Sequence, residues 1–77
     1  MKKIAILGST GSIGTQSLEV IRSQPDMEAT VLAAGSNVEL LEKQIREFHP
    51  KLVCVYKEDA AKVLKQAVAD LDVKIVS

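Results

Sequence analysis

Residues 6–16 read ILGSTGSIGTQ: an apolar run breaks into Gly8, Gly11 and Gly14 at even three-residue spacing and leads straight into a helix-like stretch. Glycine in the first turn of a helix costs about 1 kcal/mol relative to alanine. This position therefore requires backbone without side chains. A strand, a tight glycine turn and a helix N-terminus together form an anion site, because the first N–H groups of a helix lack partners and its dipole adds positive potential there. Gly8 suits the turn out of the strand. Gly11 lets a pyrophosphate approach the main chain, and Gly14 lets the helix pack closely on the strand. Ser9, Thr10 and Ser12 add hydroxyls around the same anion.

The spacing is G-x-x-G-x-x-G rather than G-x-G-x-x-G, and no Gly-Lys-Ser/Thr follows as in a P-loop. Its context supplies the specificity that a glycine triplet alone lacks. KKIAIL, at 2–7, is short and continuously apolar from Ile4, and reads as a buried parallel strand. A helical stretch over 12–23 places Gly14, Ser17, Leu18 and Ile21 on one face, and Pro25 stops it. ATVLAAG at 29–35 is a second strand. VELLEKQIREFHP at 38–50 carries Leu41, Ile45 and Phe48 on one stripe, with Pro50 as its stop. KLVCVY at 51–56 is a third strand. A third helix over 57–71 groups Ala60, Leu64, Ala67, Val68 and Leu71, and a fourth strand begins at about Val73. Alternating elements with short connections predict an α/β fold, a Rossmann-like doubly wound parallel sheet. The expected strand order is 3-2-1-4, with the first two helices on one face and the third on the other.

In that order the fourth strand is an uncovered apolar edge. The chain then reads as the N-terminal part, residues 1–77, of a larger dinucleotide-binding domain, and alone it is expected to self-associate through its C-terminal strand.

The second informative stretch is AAGSN at 33–37. Enzymes that prefer NAD usually place an acid at the end of this strand to bind the ribose 2′-hydroxyl. Gly35, Ser36 and Asn37 offer neutral donors and no carboxylate, which favours NADP over NAD. Gly35 and Asn37 also suit a turn and a helix cap, which is compatible with a cofactor role. Ten basic and ten acidic residues balance, so nothing supplies the basic excess that nucleic acid or an anionic membrane surface would require. The four apolar residues between Lys3 and Gly8 are too few for a signal peptide, and no stretch is long enough to span a bilayer. The expected setting is cytoplasmic. Cys54 has no second cysteine to pair with and reads as a small apolar strand residue, and His49 as a helix-end residue. Tyr56 sits at the ligand edge of the sheet, and Glu42 and Arg46 are spaced to pair along a helix. No residue set suggests a metal site or a general acid–base pair.

LGSTGSIGTQSLEVIR, AAGSN and EFHPKLVCV together resemble the N-terminal stretch of the 1-deoxy-D-xylulose 5-phosphate reductoisomerase family, over essentially the whole chain. The resemblance implies an NADPH-dependent oxidoreductase. With a divalent cation, Mg or Mn, it would rearrange and reduce 1-deoxy-D-xylulose 5-phosphate to 2-C-methyl-D-erythritol 4-phosphate in non-mevalonate isoprenoid synthesis, as a homodimer. It assigns cofactor contacts to Thr10, Gly11, Ser12 and Ile13 in the first loop and to Gly35, Ser36 and Asn37 in the second. Many family members carry a basic residue where this chain has Ser36. The family's metal, phosphosugar and catalytic residues match nothing in this chain, so the 77-residue chain alone is expected to be inactive. Two other readings remain: the N-terminus of another NAD(P)-dependent dehydrogenase, or a stand-alone nucleotide-binding regulatory module.

Overall fold

The computed structural model describes residues 2–77, in which strands and helices alternate: β1 (Lys2–Leu7), α1 (Ser12–Ser23), β2 (Met27–Ala34), α2 (Val38–Phe48), β3 (Leu52–Val55), α3 (Glu58–Ala67) and β4 (Lys74–Val76). All three strand pairings are parallel. One row of the sheet, Ile6–Leu32–Val53–Ile75, faces the helices and forms the floor of the core. Leu18 and Ile21 from α1, Leu41 and Ile45 from α2, and Ala61 and Leu64 from α3 close over it. Ala29 and Leu32 both reach this core although they are three residues apart. A register shift between Ile4 and Ala5 leaves Thr30 as the extra residue of β2 and resets the alternation.

The α/β class and the parallel sheet agree with the sequence reading, but the strand order does not. The sheet runs β1-β2-β3-β4, so β4 lies beside β3 and not beside β1 as the expected 3-2-1-4 order required. The reason lies in α3. Arg46 on α2 donates to both carboxylate oxygens of Asp70, each at 3.1 Å, and to the carbonyl of Ala67 at 3.0 Å. These bonds join the end of α3 to the face that α2 occupies. A right-handed crossover that keeps its helix on that face must deliver the next strand outward, beyond β3. All three helices consequently cover one face, whereas the sequence reading placed α3 on the other. α1 joins the same layer through Arg22, which forms a two-pronged ion pair with Glu47 on α2 and lies 5.5 Å from the Phe48 ring centre.

The opposite face carries two rows, Ala5–Val31–Leu52–Lys74 and Leu7–Ala33–Cys54–Val76. Cys54 is half-buried there, and Leu7 is 74% exposed. β1, read from its continuous apolar run as a buried strand, is thus an edge strand with one covered face.

Candidate functional site

Parallel strands bring all their C-terminal ends to one rim of the sheet. Three loops meet there: residues 8–11 after β1, 35–37 after β2, and Tyr56–Lys57 after β3. Backbone hydrogen bonds tie them together. Gly8 and Ser9 both donate to the carbonyl of Ala33, at 2.7 and 3.0 Å; Tyr56 donates to Ala34 and Lys57 to Gly35, at 3.0 and 3.3 Å. The first two loops, separate in sequence, are neighbours on one scaffold.

The glycine turn is closed by a 2.9 Å bond from the N–H of Gly11 to the carbonyl of Gly8. Gly8 has φ of 70°, a conformation that glycine adopts without steric cost. A Cβ on Gly14 would lie 2.0 Å from the Gly8 carbonyl oxygen and 2.7 Å from Ser9 Cα, so the first turn of α1 rests directly on the turn's backbone. The space beside Gly11 is different. A Cβ there would meet only the Gly8 oxygen, at 3.4 Å, and the residue is exposed.

The three helix N-termini along this rim are not equivalent. Asn37 caps α2, its side-chain oxygen accepting from the N–H of Leu40 at 3.3 Å, and Glu39 adds an acid to the first turn. α3 has no side-chain cap but starts with Glu58 and Asp59, which offset its dipole. α1 has neither: its N-cap is Gly11, no side chain caps it, and its first turn holds no acid. The first backbone bond into α1 runs from Thr15 to Gly11. Among the described residues, the N–H groups of Ser12, Ile13 and Gly14 therefore have no backbone acceptor. This uncapped terminus is suited to hold an anionic group such as a pyrophosphate.

The residues assigned to cofactor contact lie on this rim. Gly8, Gly11, Ser12 and Ile13 are exposed and Thr10 is half-buried; in the second loop Gly35 is half-buried while Ser36 and Asn37 are exposed. Ile13, 80% exposed in the first turn of α1, offers an apolar surface next to the free N–H groups. One correction applies, and one side chain has a second use. The hydroxyl of Ser9, counted among the anion's neighbours, points inward: Ser9 is fully buried, and its Oγ is a buried atom with no hydrogen-bond partner. Asn37 already uses its side-chain oxygen as a helix cap, leaving its amide N–H groups for a ligand.

Gln44 was missed by the sequence reading. It lies on α2, is 6% exposed, and donates from Nε2 to the carbonyl of Ser9 at 2.7 Å. The signal was available, since Leu41, Gln44, Ile45 and Phe48 fall at i, i+3, i+4 and i+7 and put a polar residue on the apolar stripe.

A cleft of about 260 Å³ between α1 and α2 is lined by Thr15, Leu18, Glu19, Arg22, Lys43 and Glu47 among others. It lies on the helix layer rather than on the loop rim. Two of its lining charges form an ion pair: the hydrogen bond from Arg22 is the largest effect and holds the Glu47 carboxyl below its ordinary value of 4.5, burial opposes it, and the opposite charge of Arg22 adds a smaller lowering. Among the described residues, no three His, Cys, Asp or Glu side chains are grouped to hold a metal ion, and no helix is long and apolar enough to cross a membrane.

Comparison with known proteins decides the family. The family model described as 1-deoxy-D-xylulose 5-phosphate reductoisomerase matches residues 4–77. The chain belongs to this family. The reductoisomerase of Lachnoclostridium phytofermentans is 61% identical over 75 residues, covering 97% of this chain and 19% of that protein. That of Lachnospira eligens is 56% identical over 77 residues, covering 100% and 20%. A crystal structure of DOX-P reductoisomerase in complex with NADPH, fosmidomycin and magnesium superposes with a TM-score of 0.93 at 39% identity, over 100% of this chain and 19% of that one. The Zymomonas mobilis enzyme in complex with NADPH gives 0.90 at 28% identity, over 97% and 20%. The chain thus spans about a fifth of the length of the reductoisomerases it matches.

Proposed function

We propose that residues 1–77 form the N-terminal part of the NADPH-binding domain of a 1-deoxy-D-xylulose 5-phosphate reductoisomerase. The observation that carries this reading is the uncapped, acid-free N-terminus of α1 behind the glycine turn, in a chain of this family. The pyrophosphate would lie against the N–H groups of Ser12 and Ile13, with Gly11 giving it room and Gly8 and Thr10 shaping the turn. The adenosine ribose would face Gly35, Ser36 and Asn37. With no carboxylate in that second loop, a 2′-phosphate meets neutral donors and no repulsion, which supports NADPH over NADH. When bound, the cofactor supplies the hydride; this chain binds and orients it.

Relatives solved with NADPH and with magnesium support the cofactor and a divalent cation for the whole enzyme. The cation, the phosphosugar substrate and the acid–base groups would be held by the catalytic and C-terminal domains, outside these residues. The whole enzyme is read as a cytoplasmic homodimer. The 77-residue chain alone is read as inactive and as self-associating through the open outer edge of β4, which light scattering at rising concentration would check.

The test is a chimera in which residues 1–77 replace the matching stretch of the Lachnoclostridium phytofermentans enzyme. The unmodified chimera is expected to oxidise NADPH in the presence of deoxyxylulose phosphate. Gly11→Val is expected to keep the helical circular dichroism signal and to abolish NADPH binding. Unchanged NADPH affinity in that variant would show that the pyrophosphate lies elsewhere.

A further inference from the structure

The turn after β1 is bonded on two sides. On the sheet side, Gly8 and Ser9 donate to Ala33, and these bonds involve only backbone. On the helix side the contact is a single side chain: Gln44, 35 positions along the chain, donates to the Ser9 carbonyl at 2.7 Å. Both residues are shielded from water, Ser9 completely and Gln44 to within 6%. A carbonyl only accepts, so the amide nitrogen of Gln44 is the atom that must face it.

The Ser9–Thr10 peptide transmits this contact. No cis peptide occurs among the described residues, and in a trans peptide the C=O and the following N–H point in opposite directions. Fixing the Ser9 carbonyl toward α2 therefore turns the Thr10 N–H away from α2. That N–H has no backbone acceptor among the described residues. Without Gln44 the Ser9 carbonyl would be buried and unbonded, and the peptide could relieve that cost only by rotating, which would turn the Thr10 N–H with it.

We propose that Gln44 is a positioning residue for the cofactor: through the Ser9 carbonyl it sets the Ser9–Thr10 peptide so that the Thr10 N–H serves the bound pyrophosphate. This rests on the NADPH reading above. Gln44 touches no ligand and acts from the far side of the turn.

The test uses the same chimera with Gln44→Met, which keeps the length and loses the donor, and Gln44→Glu, which keeps the shape. The Met variant is expected to raise KM and Kd for NADPH about tenfold, the loss of one well-placed bond, with kcat and the KM for deoxyxylulose phosphate changed less than about twofold. The Glu variant gives a pH signature that packing alone would not. Ionised, its carboxylate faces the Ser9 carbonyl and repels it; protonated, its O–H donates and restores the bond. Burial raises a carboxyl's pKa, and Glu19, Arg22, Lys43 and Glu47 line the same cleft in both proteins. NADPH affinity in this variant is therefore expected to recover relative to the unmodified chimera at each pH as pH falls from about 8 to about 6. NADPH constants within about twofold of the unmodified chimera in both variants would overturn the proposal, as would equal losses toward both substrates with no recovery in the Glu variant. A folded, unmodified chimera that binds no NADPH would instead overturn the cofactor reading, and this proposal with it.

Discussion

Replacing Gly14 with alanine should destabilise the protein, although in an ordinary helix the same change would stabilise it by about 1 kcal/mol. The added Cβ would lie 2.0 Å from the Gly8 carbonyl oxygen, and its other close neighbours are also backbone, Gly8 C and Ser9 Cα at 2.7 Å. Relief requires α1 and the turn to separate by about 1 Å, because no flexible side chain can give way; overpacking of this kind costs roughly 1–3 kcal/mol. Displacing the Gly8 carbonyl also strains its 2.9 Å bond from Gly11, worth about 1 kcal/mol. Taking the upper part of the overpacking range, adding the strained bond and subtracting the propensity gain leaves a net loss of about 2–3 kcal/mol. The assay is urea denaturation followed by circular dichroism, with Gly11→Ala as control. At Gly11 the new Cβ would meet one atom at 3.4 Å, and φ of −81° suits any residue, so stability there should change by less than about 0.5 kcal/mol. A Gly14→Ala midpoint equal to or above that of the parent would refute the close-packing argument.

Three further expectations rest on other contacts. Ser9→Ala removes a hydroxyl that is buried and unbonded, so the urea midpoint should stay level or rise; a loss above about 1 kcal/mol would reveal a partner for that hydroxyl. Glu47 has its pKa depressed by Arg22, so its stabilising effect is present above the ordinary value of 4.5 and is lost as pH falls through the lower folded-state value. Because the pair is about half exposed, Glu47→Gln should cost less than about 1 kcal/mol at neutral pH and should flatten the stability profile below about pH 5, read from melts across that range. His49 ends α2 in the left-handed conformation, with φ of 51°, so His49→Gly should raise stability by up to about 1 kcal/mol; a lower melting temperature would argue against strain at that position.

What the sequence made legible followed from local rules. Gly8, Gly11 and Gly14 marked the turn, Leu41 and Ile45 marked the buried stripe of α2, and Asn37 stood where a cap was needed. The position of β4 was not legible. Short connections and handedness permit a crossover in either direction along a sheet, and the choice here is tied to α3 sharing the face of α2, held by Arg46 bonds that span 21 and 24 positions. Ala29 and Leu32 share a face only because of the irregularity at Thr30, which strict alternation does not predict. At the site, the exposed residues of both loops could be named from their neighbours in sequence. The inward hydroxyl of Ser9 and the reach of Gln44 could not, because both are set by packing between segments distant in sequence, Gln44 meeting Ser9 from 35 positions away.

The order of the sheet also bears on how the chain is made. Every strand after β1 pairs with the one synthesised just before it, and a helix precedes each new strand. A protein emerging from the ribosome N-terminus first can add such units one at a time, with no early segment left waiting for a late partner within this stretch. The turn after β1 takes its hydrogen bonds from Gly11, Ala33 and Gln44. All of its partners have therefore been synthesised before β3 begins, and the turn can assemble while the rest of the sheet is still being translated.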